Sequence, residues 1–327
     1  MYGVVITDCD LGPCDIERQV LEGIADVVVG KCRTEDDVIA LARDADGVIE
    51  QYAPITRRVF QSLKRCKVVA RYGVGVDTID VVAASELGIP VVNVTHYCDE
   101  EVSDHTLAHI LNCMRKITVL DRSVRRGVWN VRSVAPIFRL SRLRLGLLGL
   151  GSIARRVLQK ALVFGVEACA CDPYVDGAII REHGALPVEF DELLSTSDIV
   201  SLHLPLTDRT HHIIDEKALR TMKKSAVLIN TSRGSLVDQR ALYRALSERW
   251  ISAAGVDVVE VEPLDAESDL LKLDNIVVTP HAAFYSEISN SELKRRAAEG
   301  VGRVLRGENP SSLVNPEVLQ NGRWMRH

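Results

Sequence analysis

Leu145-Gly146-Leu147-Leu148-Gly149-Leu150-Gly151-Ser152-Ile153-Ala154, with Asp172 at the end of the next apolar run, decides the fold of this chain. Leu145–Leu148 reads as a buried strand, and it opens into a helical pattern over Ala154–Phe164. Gly149 allows the tight turn, Gly151 lets backbone N–H groups approach a pyrophosphate, and Ala154 lets the helix pack close to the strand. Glu167–Cys171 reads as the following strand, and Asp172 stands 21 residues beyond Gly151. That is a Rossmann dinucleotide fingerprint in the strand–turn–helix–strand context it requires. Such a domain commonly begins a chain, whereas this one begins near the middle.

Composition bounds the rest. A chain of 327 residues is long for one core, so two domains are expected. Hydrophobic content of 46% and charged content of 26% are those of a globular protein. A net charge of −5 and a pI near 6.0 provide no general attraction to nucleic acid or anionic membrane. The N-terminal run Tyr2–Cys9 lacks a basic region and a long apolar stretch, so no secretory signal is expected. No segment is long and uncharged enough for a membrane span. The eight cysteines contain no CxxC pair and are read as small buried apolar side chains in a reducing cytoplasm, with no metal site. Cys169 and Cys171 are expected on opposite faces of their strand.

Up to about residue 94, short apolar runs alternate with helical patterns. Val4–Thr7, Asp26–Val29, Gly47–Glu50, Val68–Arg71 and Pro90–Val94 read as strands of one parallel α/β unit. Apolar residues at helical spacing from Glu100 to Arg126 predict one long helix ending before Gly127. Beyond the fingerprint, Asp198–Leu202, Ala226–Asn230, Ile251–Val256 and Asn275–Thr279 complete a second parallel sheet, and Ser286–Leu305 reads as a terminal helix. The fold class is therefore α/β with two parallel-sheet domains. The dinucleotide-binding domain, 99–284, is expected to be inserted into a discontinuous one made of 1–98 and 285–327. Two crossings between domains would form a hinge over a ligand cleft.

Three polar residues follow strands of the second sheet: Arg233 in Asn230-Thr231-Ser232-Arg233-Gly234, Glu262 before Pro263, and His281 after Pro280. Loops at the carboxyl ends of such strands carry sites. Reduction of a 2-oxo acid needs a cation to grip the carboxylate and polarise the carbonyl, and an acid to protonate the forming alkoxide. The planar fork of arginine suits the first task and histidine suits the second. A carboxylate such as Glu262 beside the imidazole would favour its protonated form. Each residue also has a plainer use, as a turn cap, a solvated loop charge or a hydrogen-bonded loop histidine. Their order after a fingerprint favours the chemical reading.

The stretches Arg71-Tyr72-Gly73-Val74-Gly75-Val76-Asp77, Tyr97–His105, the fingerprint, Asn230–Gly234, Glu262-Pro263 and Pro280–Glu287 are the anchors of a likeness that runs over nearly the whole chain. In them the chain resembles the D-isomer-specific 2-hydroxyacid dehydrogenases, most closely the branch containing the C-terminal binding proteins. The resemblance implies a flavodoxin-like substrate domain and a homodimer formed through the NAD domains. It implies Arg233 as substrate binder, His281 as acid/base and Glu262 as its partner. By the same resemblance Val74 and Gly75 meet the substrate carboxylate through backbone N–H groups, and Arg71 stands at the substrate end. Phe284 replaces a tryptophan common in that branch, which leaves the site apolar without an indole donor. For the cofactor, the resemblance brings Ser152 and Ile153 to the pyrophosphate, Thr106 to the phosphates, and His203 and Pro205 to the adenosine. Thr231 is placed with the cofactor-binding set, and Asp257 at the carboxamide.

Asp172 should repel a 2′-phosphate, and no arginine adjoins it in Asp172-Pro173-Tyr174, so the expected cofactor is NAD. The expected partner is a small anionic 2-hydroxy or 2-oxo acid. Between Arg115 and Arg144 basic residues crowd around a lone acid, Asp121. Without interleaved aromatics that run reads as a solvated face or subunit contact rather than a nucleic-acid site. Two alternatives stay open: an NAD(H)-sensing co-regulator scaffold, and a short phosphoglycerate dehydrogenase.

Overall fold

The computed structural model describes residues 1–321. Its internal contacts divide the chain into two units, one comprising Met1–Cys98 with the segment from Ser286 onward, the other Asp99–Tyr285.

The first unit is built on five parallel strands: β1 (Tyr2–Ile6), β2 (Ala25–Val29), β3 (Gly47–Glu50), β4 (Val68–Arg71) and β5 (Val91–Val92). Their order, β2-β1-β3-β4-β5, is the flavodoxin-type winding. The central strands are buried on both faces, which is why Val4-Val5-Ile6 and Val68-Val69-Ala70 read as unbroken apolar runs. Three of the helices between these strands begin at side-chain caps. Thr34 and Asp37 form a capping box, Thr56 accepts from Val59 N–H, and Asp80 accepts from Ala83 N–H. The helix Glu287–Leu305 belongs to this unit and starts from a capping box on Ser286. A Cβ on Gly300 would come within 2.6 Å of Val92 Cγ1, so that helix lies against β5 only because residue 300 has no side chain. Asn315 then accepts from Val91 N–H at 2.8 Å and supplies a polar partner at the sheet edge.

The second unit carries seven parallel strands: β6 (Arg144–Leu148), β7 (Glu167–Cys171), β8 (Leu186–Pro187), β9 (Ile199–Leu202), β10 (Val227–Asn230), β11 (Ala253–Val256) and β12 (Ile276–Val278). The order β8-β7-β6-β9-β10-β11-β12 is that of a Rossmann sheet, with the winding reversing between β6 and β9. Alternate side chains feed two cores. Val227 and Ile229 join one with Leu145 and Leu147, while Leu228 joins the other with Val200 and Leu202.

Two local expectations are corrected, and one strand is added. The long helix is two, Asp99–Arg115 and Ile117–Arg125, broken at Lys116 with φ +58°. Asn112 clasps the break, its Oδ1 accepting from Thr118 N–H at 2.9 Å and its amide donating to Thr118 Oγ1 at 2.8 Å. Cys169 and Cys171 pack toward the same core, since residues two apart on a strand share a face. The two-residue strand β8 gave no periodic signal and extends the sheet edge. No helix among the described residues is long and apolar enough to cross a membrane.

Candidate active site

The site of the second unit is laid out by the carboxyl ends of its strands. β6 ends at Leu148, and Gly149 turns the chain with φ +88°. A Cβ on Gly149 would lie 2.5 Å from the His203 carbonyl oxygen, so close approach as well as the turn demands glycine. Gly151 is the N-cap of the helix Ser152–Leu162 and provides no side-chain cap. A Cβ built on Gly151 meets nothing within 4 Å, so open space faces the helix start. Ser152 and Ile153 open that helix, and Ala154 is fully buried beneath it. A helix start free of side-chain caps, with open space before it, suits a pyrophosphate.

At the end of β7 both carboxylate oxygens of Asp172 are fixed by backbone donors. Oδ2 accepts from Leu150 N–H at 2.8 Å and Oδ1 from Tyr174 N–H at 2.9 Å. No ion pair among the described residues neutralises it. The donor set and the open turn together fit a dinucleotide whose ribose bears free hydroxyls.

His203 and Pro205 follow β9. The His203 ring shares a 2.9 Å hydrogen bond with Ser201 Oγ, and burial pushes its pKa down to about 4. Pro205 is exposed. After β10, Thr231 Oγ1 lies 2.8 Å from Thr106 Oγ1, and both residues are buried. Thr106 also donates to Val102 O at 2.7 Å, so its hydroxyl is committed within the protein.

Arg233 adopts an extended backbone just before Gly234, and Nη1 donates to Ser232 O at 2.8 Å. A Cβ on Gly234 would fall 1.9 Å from Val259 O. This forced contact brings the Arg233 loop onto the loop carrying Glu262. Glu262 Oε1 accepts from Val259 N–H at 3.1 Å, and Oε2 lies 2.7 Å from His281 Nδ1. About a third of each side chain of that pair is exposed. Phe284 lies edge-on to the imidazole, with ring centroids 6.2 Å apart.

The His281 loop is held by Asp257. Asp257 O accepts from His281 N–H at 2.7 Å, Oδ1 from Ala282 N–H at 2.9 Å and from Thr279 Oγ1 at 2.5 Å, and Oδ2 from Ala283 N–H at 2.8 Å. His281 itself sits at φ +53°, a left-handed conformation that those bonds maintain. Two histidines missing from the sequence-derived set complete this arrangement. His105 Nε2 and His109 Nε2 lie 2.9 and 3.1 Å from Thr279 Oγ1. The single hydroxyl proton goes to Asp257, so both rings must donate N–H to Thr279. Burial, with His105 alongside, pushes His109 down to about 4 and keeps it neutral. Their i, i+4 spacing on one helix was the available signal. A second histidine–glutamate pair, His212 with Glu260, lies two residues earlier in the Glu262 loop.

In the first unit, Arg71 closes β4 with its guanidinium 3.2 Å from the fully buried Glu50 carboxylate. Burial raises Glu50 to about 7, against the pull of Arg71 and of a hydrogen bond from Thr78. Val74 is exposed and Gly75 half-buried, and among the described residues neither backbone N–H finds a protein acceptor.

Residues 107–283 match the family model described as D-isomer specific 2-hydroxyacid dehydrogenase, NAD binding domain. The chain is 40% identical over 288 residues to the glyoxylate reductase of Korarchaeum cryptofilum, covering 86% of each. It is 37% identical over 305 residues to the D-3-phosphoglycerate dehydrogenase of Methanocaldococcus jannaschii, covering 92% of this chain and 58% of that one. Among solved structures, the Aquifex aeolicus D-lactate dehydrogenase complexed with NAD and lactic acid matches with a TM-score of 0.86. That match spans 95% of this chain and 99% of the other at 28% identity.

Proposed function

Because this chain belongs to the D-isomer-specific 2-hydroxyacid dehydrogenases, we propose that it interconverts a D-2-hydroxy acid and its 2-oxo acid through Arg233, His281 and Glu262. It is an oxidoreductase whose cofactor is NAD, and bound NAD(H) supplies or accepts the hydride. Gly149, Gly151, Ser152 and Ile153 hold the pyrophosphate, and Asp172 accepts from the ribose hydroxyls. Thr106, His203, Pro205, Thr231 and Asp257 complete the cofactor-binding set by resemblance.

The observation that carries the reading is the 2.7 Å His281 Nδ1–Glu262 Oε2 contact on a loop fixed by Asp257. With Nδ1–H donated to Glu262, Nε2 is the nitrogen that gives a proton to the alkoxide in reduction and takes it back in oxidation. Arg233 grips the carboxylate and polarises the carbonyl with its planar fork. By resemblance Arg71, Val74 and Gly75 belong to the substrate-binding set, and Phe284 supplies an apolar wall beside His281. The relatives named as a glyoxylate reductase and a D-lactate dehydrogenase support a small 2-oxo acid. The one named D-3-phosphoglycerate dehydrogenase keeps phosphorylated acids in the test panel.

Steady-state kinetics test the assignment. Arg233→Ala raises KM and lowers kcat together, whereas His281→Ala chiefly lowers kcat, by roughly 10²–10⁴-fold. Wild-type turnover in both variants would end this reading.

The chain is further proposed to form a homodimer through its NAD domain. In that unit Trp129, Val131 and Ile117 are 88%, 67% and 55% exposed, and Val124 and Phe138 are exposed beside them in sequence. Exposed large apolar residues recurring along one segment are expected to be covered by a second copy. Sedimentation equilibrium should give a dimer for the wild type and a monomer for Trp129→Glu/Val131→Glu. A wild-type monomer would refute the dimer.

A further inference from the structure

The first unit holds a cluster that the dehydrogenase chemistry does not use. Cys9 Sγ, Cys14 Sγ and a carboxylate oxygen of Glu17 lie within 4.8 Å of one another. Cys14 and Glu17 are buried, while Cys9 is half-buried and gives a path inward. Glu17 accepts from the Tyr72 hydroxyl through Oε1, but Oε2 is buried without any partner. An unpaired buried carboxylate oxygen is costly and asks for a ligand. The loop between the cysteines is already fixed at three carbonyls. Asn290 donates to Leu11 O at 3.2 Å, and Lys294 donates to Gly12 O at 3.4 Å and to Pro13 O at 2.5 Å.

We propose that Cys9, Cys14 and Glu17 form a binding site for a thiophilic divalent cation of the zinc class. Two sulfurs and one carboxylate select zinc over the oxygen-seeking magnesium and calcium. Zinc–sulfur bonds of about 2.3 Å set tetrahedral ligand atoms roughly 3.8 Å apart, so the three donors need to close by no more than about 1 Å. Two thiolates and a carboxylate carry three negative charges, which a divalent cation and the buried Lys294 ammonium, 4.0 Å from Glu17, together balance. Without a cation, burial with Cys9 and Glu17 alongside pushes the Cys14 thiol up to about 12, so zinc must displace thiol protons on entering. The site departs from the reading of the cysteines as buried apolar side chains, and it is independent of the proposed reaction.

The test uses the full chain, reduced and stripped of metal. Zinc competition against a chromophoric chelator should give one tight equivalent, and cobalt should produce a thiolate charge-transfer band. Cys9→Ala and Cys14→Ala should each weaken zinc binding by at least about tenfold, whereas Cys171→Ala should not. In the unmodified chain, zinc should slow alkylation of Cys9 and Cys14, read by peptide mass spectrometry, and leave the other cysteines unaffected. That readout stands even if a variant fails to fold. Absence of the cobalt band, unprotected Cys9 and Cys14, or full affinity in both variants would overturn the proposal.

Discussion

Asp257 holds the His281 loop with its carbonyl and both carboxylate oxygens, and Thr279 ties that carboxylate to His105 and His109. Thr279→Val removes a donor and an acceptor at once and should lower kcat by about tenfold through loss of loop position. Thr279→Ser keeps the hydroxyl and should restore most of the rate. Equal rates in both variants would assign Thr279 to packing alone. His212 pairs with Glu260 as His281 pairs with Glu262, yet His212→Ala should keep a kcat near wild type. At Gly234 even a methyl group collides with the Val259 backbone. Gly234→Ala should therefore cost more than about 3 kcal/mol, seen as a lowered Tm. The sequence pointed to Arg233, Glu262 and His281 because arginine, glutamate and histidine announce chemistry by residue type. It did not reveal that Asp257 and Thr279 hold the loop, because such roles depend on distances between strands.

Among the elements, the strand–turn–helix of the fingerprint was legible because each step has a residue requirement: apolar strand, glycine turn, small helix residue. The Asp172 side chain at the end of β7 is clamped by the Leu150 and Tyr174 amides, and it is proposed to set the cofactor choice. A higher kcat/KM with NADH than with NADPH is expected, and Asp172→Ser should narrow that ratio; a native preference for NADPH would contradict it. The break at Lys116 was illegible, since a lysine in a left-handed conformation carries no glycine or proline signal. Its cause is the Asn112 clasp on Thr118, and Asn112→Ala should lower the Tm by a few degrees. β8 escaped notice because two residues are too few for a period of two to register.

At the scale of the molecule, the mid-chain fingerprint told of a first sheet before it and more chain after it, and the pattern of parallel strands in each was readable. Burial of ionisable groups sets the two units against each other in pH, which composition could not show. In the first unit Glu50 is raised to about 7, so between its ordinary value and 7 the folded state holds a proton that the unfolded state releases. That unit therefore loses stability as pH rises through this window, by up to about 3 kcal/mol. In the second unit His109 is lowered to about 4, and the unfolded state binds its proton first as pH falls below 6.5. That unit loses stability as pH falls toward 4. Calorimetry between pH 5 and 7 should show two transitions moving in opposite directions. Glu50→Gln should flatten one of them, and a shared direction in the wild type would refute the assignment.

The proposed reaction can be measured in solution. The most direct measurement is NADH oxidation against a panel of 2-oxo acids covering small, branched, aromatic, dicarboxylic and phosphorylated members, with the chirality of each hydroxy acid product determined. Turnover on at least one member, yielding the D product alone, is the predicted result; no turnover on any of them, or an L product, would contradict the account.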